Sequence, residues 1–160
     1  MFHLSLRVTF LLIILVSFSA PSHDVGALTL SELDVNFELI LEDNTTMIGN
    51  IENFKSSLTI LEFFDVGCGA CTDQVPHLDE LRAHFSSYEL TLISLALHPE
   101  SHSVDSVIDY RDDKGITWLF GRDINDLWED FGVEYIPAFL WFHTNGTILY
   151  GMDEGFQSSS

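Results

Sequence analysis

Basic residues are scarce in this chain: 6 Lys and Arg stand against 25 Asp and Glu in 160 residues, a formal net charge of −19. Nucleic acids are bound through clustered Lys and Arg that neutralise phosphates, so the scarcity argues against such a partner. The acidic excess reads as a solvated surface that keeps the protein soluble. Cysteine is scarcer still, at two residues, Cys68 and Cys71. That excludes a framework of several disulfides, and it excludes a zinc site built from two C-x-x-C pairs. Internal repeats are absent, and low complexity is confined to the terminal SSS. One long apolar run exists, VTFLLIILVSFSA at 8–20, and it is shorter than the ~20 residues of a membrane-spanning helix.

What is present is apolar and aromatic: 46% hydrophobic residues, 13 of them Phe. A chain of this length and content can bury one sizeable core. The apolar run follows a single positive residue, Arg7, and precedes the small residues VGA at 25–27. This order reads as a signal peptide over 1–27, with an uncleaved anchor as the alternative; the globular domain then covers 28–160. Removing 1–27 takes away Arg7 and Asp24, so the remainder keeps a charge of −19 from 24 acidic and 5 basic residues. Export would place the cysteines where disulfides persist. A disulfide closing so short a loop removes little unfolded-state entropy and makes a poor staple. Redox exchange is therefore the leading reading of the pair.

Along the domain, VNFELIL (35–41) alternates like a half-buried strand, EDNTT reads as a turn and TMIG as the returning strand. LTILEFFD (58–65) is nearly all apolar, as a central strand would be. CTDQVPHLDELRAHF puts Val75, Leu78, Leu81, Ala83 and Phe85 at roughly helical spacing. ELTLISLAL (89–97) is a second buried strand. A helix follows, with Ser103 placed to cap it and Gly115 to end it. ITWLF (116–120) reads as a short strand, DINDLWEDFG as a short helix, and PAFLWFHTNGTILYG as a hairpin turning at Asn145–Gly146. Strands alternating with helices and closing in a hairpin predict an α/β domain with a mixed sheet flanked by helices. The tail MDEGFQSSS holds too few apolar residues for a helix that covers a sheet.

Cys68 follows a buried strand, and Cys71 falls in the first turn of the next helix. A helix N-terminus carries partial positive charge and free N–H groups, which favour a thiolate at Cys68. Cys71, one turn on, returns to the same helix face and can attack a mixed disulfide formed at Cys68. Glu62 lies within an otherwise apolar strand. Either it takes and returns the proton of Cys71, or it points to solvent from one face of the strand. Pro137 opens a strongly apolar strand, where proline is tolerated, and trans is the default for its peptide bond.

These residues together resemble the thioredoxin-like superfamily, and most closely its exported thiol–disulfide branch of the TlpA/ResA kind. The resemblance runs from VNFELILEDNTT to TNGTILYG and includes LEFFDVGCGAC, Pro76 five residues after Cys71, and GITWLFGRDINDLWEDFGVEYIPAFLWFHTNGTIL. It implies a thioredoxin-like sheet with an added N-terminal hairpin, an insertion before the cis-proline hairpin, and a C-terminal helix that is missing or very short. It implies that Cys68 attacks, Cys71 resolves and Glu62 is the buried acid. It also implies that Pro137 is cis and that the Ile136 backbone pairs with a substrate strand. Partners would be disulfide or dithiol proteins and a membrane electron donor, with no bound cofactor and contact with the membrane only through the N-terminal segment if uncleaved. The chain departs from the pattern at Gly67, on the rim of the site, where the branch usually has Trp, and at Gln74, where many members have Glu.

A rival reading is a metal (copper) binding or delivery module using Cys68, Cys71 and a histidine. HPESH places His98 and His102 four apart, but Pro99 makes this a loop, and both are expected to be solvent-exposed. His77 and His143 read as helix-surface and hairpin residues, and Trp118, Trp128 and Trp141 as core or rim aromatics. Asn44 and Asn145 fit glycosylation acceptors in an organism that glycosylates exported chains.

Overall fold

The computed structural model describes residues 35–54, 56–143 and 146–154, with side chains described as far as residue 147. The expectations at 1–27, at Asn145 and at the tail from 155 lie outside the described residues. Seven strands form one sheet: β1 Asn36–Ile40, β2 Thr46–Asn50, β3 Leu58–Phe64, β4 Leu90–Ala96, β5 Leu119–Arg122, β6 Ala138–His143 and β7 Ile148–Glu154. Their order across the sheet is β2-β1-β5-β4-β3-β6-β7. β3, β4 and β5 run parallel, and every other pairing is antiparallel. Among the described residues three α-helices interrupt them: α1 Gly69–His84, α2 Val104–Lys114 and α3 Leu127–Asp130.

The sheet is mixed because its connections differ. Parallel neighbours need a crossover, which α1 supplies between β3 and β4, and α2 between β4 and β5. The tight link EDNTT instead folds β1–β2 into a hairpin, and β6 and β7 pair antiparallel as a second link lets them. Gly146 adopts φ 78° in the second link, the left-handed conformation that glycine takes without steric penalty. α2 begins and ends as its sequence suggests. The Ser103 hydroxyl oxygen accepts the Ser106 N–H at 3.2 Å, and Gly115 closes the helix at φ 66°.

β3 and β4 are buried on both faces, which explains their unbroken apolar runs. On one face Leu61, Phe63, Ile93, Leu95, Leu140 and Phe142 form a core with Leu127 of α3. On the other, Phe64 and Ala96 cluster with Cys71, Val75, Val107 and Ile108, and Ile60 and Leu92 cluster with Leu78. α1 and α2 therefore cover the second face.

Two boundaries differ from expectation. The strand read at ITWLF starts only at Leu119; Trp118 precedes it and turns its indole toward β4. β7 extends to Glu154 although Asp153 and Glu154 are acidic, because its backbone pairs with β6 across two register shifts, and an edge strand needs only one set of ladder bonds. Among the described residues no helix follows β7, and no helix is long and apolar enough to cross a membrane.

Candidate active site at the N-terminus of α1

Cys68 and Cys71 form a disulfide with their Cα atoms 5.3 Å apart. Cys68 is the N-cap of α1, and its Sγ accepts the Cys71 N–H at 3.0 Å. The two sulfurs sit in different surroundings: Cys68 is half-buried, whereas Cys71 is 1% exposed in the core beneath α1. The outer sulfur can meet a partner and the inner one cannot. α1 runs unbroken through Pro76.

The turn before Cys68 is held by Asp65. Its Oδ1 accepts the Gly67 N–H at 2.7 Å, and its carbonyl accepts the Cys68 N–H at 3.0 Å. A Cβ at Gly67 would stand 3.1 Å from Asp65 Oδ1, so any larger residue there, such as the Trp that the resemblance implies, would require the carboxylate that shapes the turn to give way by a few tenths of an ångström.

His102 corrects the sequence reading, which placed it on an exposed loop. Its Nε2 lies 2.7 Å from Asp65 Oδ2, and both side chains are about one-fifth exposed. The loop reaches the site because Arg122 holds it. The guanidinium donates to the carbonyls of His102 at 2.9 Å and Pro99 at 3.3 Å, while its Nε pairs with Glu38 of β1. His98 stays exposed, at φ 55°, edge-on to Trp128 with ring centroids 5.6 Å apart. His77 and His143 are exposed. Among the described residues no group of three or more His, Cys, Asp or Glu is placed to hold a metal ion, so the third ligand of the metal-delivery reading is not found there.

Glu62 is 3% exposed and does not point to solvent. It lies between Ile60 and Phe64 on the strand face that packs against α1. Burial pushes its carboxyl up to about 7, opposed by the hydroxyl of Ser94, its register partner on β4. The Ser94 oxygen in turn accepts the Trp118 indole N–H at 2.8 Å. From α2, the Tyr110 hydroxyl lies 3.3 Å from Thr72 Oγ1, next to Cys71. Burial and the Glu62 charge both raise the Tyr110 phenol. Sequence reasoning missed Asp65, Ser94, Tyr110 and Trp118. A signal for Ser94 existed, since it is a lone serine in the apolar run LTLISLAL, opposite the lone acid of LTILEFF.

The Ile136–Pro137 bond is cis. Pro137 is buried and immediately precedes β6, whose Ala138 and Phe139 pair with Phe63 and Glu62. Tyr135, two residues upstream, is 66% exposed. The C-terminal ends of the parallel strands β3 and β4 and the start of β6 thus bring Cys68, His102 and Ile136 to one end of the sheet.

No family model matches the chain, and no curated protein matches it. Solved structures do. A thiol–disulfide isomerase from Corynebacterium glutamicum superposes with a TM-score of 0.69 at 16% identity, over 84% of this chain and 90% of that one. The fold is thioredoxin-like. StoA from Bacillus subtilis shares it at TM-score 0.61 and 19% identity, over 79% of this chain and 92% of its own. So does a secreted Mycobacterium tuberculosis disulfide oxidoreductase at 0.61 and 15%, over 80% and 90%. The thioredoxin-like frame here carries the expected N-terminal hairpin, β1–β2, and the inserted helix α2.

Proposed function

We propose that the protein is a thiol–disulfide oxidoreductase that exchanges the Cys68–Cys71 pair with protein or small thiol substrates outside the cytoplasm. The observation that carries this reading is the asymmetry of the pair: a half-buried sulfur at a helix N-cap, backed by a buried sulfur beneath the same helix. In the reducing direction the Cys68 thiolate attacks one sulfur of a substrate disulfide. A Cys68–substrate bond forms, the substrate S–S bond breaks, and the freed substrate thiolate takes a proton. Cys71 gives its proton to the Glu62 carboxylate and attacks Cys68. The Cys68–Cys71 disulfide forms, the Cys68–substrate bond breaks, and the released thiolate takes the proton back from Glu62, so the substrate leaves as a dithiol carrying two electrons more. The Ile136 backbone and the turn at Gly67 line the substrate. The oxidising direction reverses these steps.

The apolar segment at 8–20 and the likeness to a protein described as secreted support an exported location, with 1–27 as the targeting segment and a membrane donor restoring the dithiol. The test follows reduction of a protein disulfide by dithiothreitol-primed protein. Wild type is expected to turn over and Cys68→Ser to lose at least ~99% of the rate, since the attacking group is gone. An inert wild type, or an active Cys68→Ser, sinks the reading.

A further inference from the structure

We propose that Trp118 and Ser94 are positioning residues for Glu62: the indole fixes the serine hydroxyl, the hydroxyl reserves Oε2, and the proton exchanged with Cys71 is carried on Oε1. This rests on Glu62 acting as the acid and base of the exchange. The direction of the chain follows from what each group can donate. An indole N–H donates and never accepts, so its 2.8 Å contact with Ser94 Oγ uses a lone pair of that oxygen. The one hydroxyl hydrogen of Ser94 is then directed at its acceptor, Glu62 Oε2. Ser94 is fully buried, so solvent does not compete for it. An oxygen that is already receiving a hydrogen is the poorer place for a second one. Protonated Glu62 therefore carries its hydrogen on Oε1 and keeps the Ser94 contact in both states.

The groups around Glu62 leave this chain as the polar control on its proton. β6 opposes it with Phe139 and β4 with Ser94. On the covering helices, α1 contributes Cys71 and Thr72. α2 contributes Tyr110, which stays protonated at neutral pH, and Lys114, whose ammonium is 5.9 Å from the Tyr110 ring centre. A hydroxyl that donates to a carboxylate favours its charged form. Losing the donor must raise the pH at which Glu62 titrates.

The experiment is a carbon-13 carboxyl titration of Glu62 in the oxidised protein, which needs no turnover. It is paired with the pH profile of disulfide reduction. Ser94→Ala is expected to move the Glu62 midpoint up by about one pH unit, and the limb of the rate profile that reports the base by the same amount. Trp118→Phe, which frees the hydroxyl to rotate, is expected to move both in the same direction by less. Ser94→Thr, which keeps the hydroxyl, is expected to restore wild-type values. An unmoved midpoint in Ser94→Ala, or a Ser94→Thr protein that titrates like Ser94→Ala, overturns the inference. A wild type that fails to exchange disulfides sinks the activity instead, while the titration still decides the hydrogen-bond chain.

Discussion

Glu62 couples the chemistry of the site to the stability of the fold. Its carboxyl titrates about 7 in the folded chain against 4.5 when exposed. A raised folded value means that the folded state holds the proton more tightly. The resulting stabilisation is full below pH 4.5 and fades as pH rises through about 7. We expect wild type to lose about 3 kcal/mol across that window relative to Glu62→Gln, which cannot ionise. Urea unfolding of both proteins at pH 4.5, 6 and 8 measures the difference, and parallel curves would rule it out. The sequence shows the anomaly, a lone acid in an apolar strand, but leaves its direction open. Which face it occupies depends on the even-numbered side of β3 being covered by α1, a long-range fact. The same reason hides His102. Its spacing from His98 describes a loop, while its partner, Asp65, lies 37 residues away.

Elements were more legible than contacts. β1, β3, β4, α1 and α2 follow from runs and periodicities within each segment. The short helix read in DINDLWEDFG is present as α3, but periodicity does not reveal that its four residues depend on a cap from outside. Asp123, buried and pushed up by that burial, accepts the N–H groups of Leu127 and Trp128 at 3.0 and 2.9 Å. Nor does it reveal the approach of β5 to β1. At Gly121 a Cβ would lie 2.1 Å from the Glu38 carbonyl oxygen, a backbone atom that cannot swing aside. Gly121→Ala is expected to push β1 away from β5 and cost about 3 kcal/mol in urea unfolding at unchanged m. A cost below about 0.5 kcal/mol would show that the two strands can separate freely.

At the scale of the whole molecule, the charge of −19 acts on every approaching partner. Like charge slows encounter, and salt screens it within about 10 Å at 0.1 M. Reduced protein should therefore react at least roughly tenfold faster with a cationic disulfide such as cystamine than with anionic glutathione disulfide at low salt. That ratio should fall toward the intrinsic one as salt rises to about 0.5 M. Stopped-flow rates across a salt series decide it, and a ratio indifferent to salt would mean that the net charge does not reach the site. Composition alone carries this expectation. The mixed α/β sheet follows from the alternation of strands and helices, whereas its thioredoxin-like arrangement was legible only through the ordered likeness of LEFFDVGCGAC and the proline hairpin to a known fold.

Arg122 gives the added hairpin a significance that its position at the sheet edge conceals. Contacts run without interruption from Glu38 through that guanidinium to the His102 carbonyl, from the His102 ring to Asp65, and from Asp65 to the amides of Gly67 and Cys68. The hairpin is thereby tied to the turn before Cys68. Deleting it would strand a half-buried cation and loosen the loop that braces the reactive turn. A truncation that starts after Glu38 is therefore expected to weaken the brace on that turn, although it leaves the strand that leads into the cysteines intact.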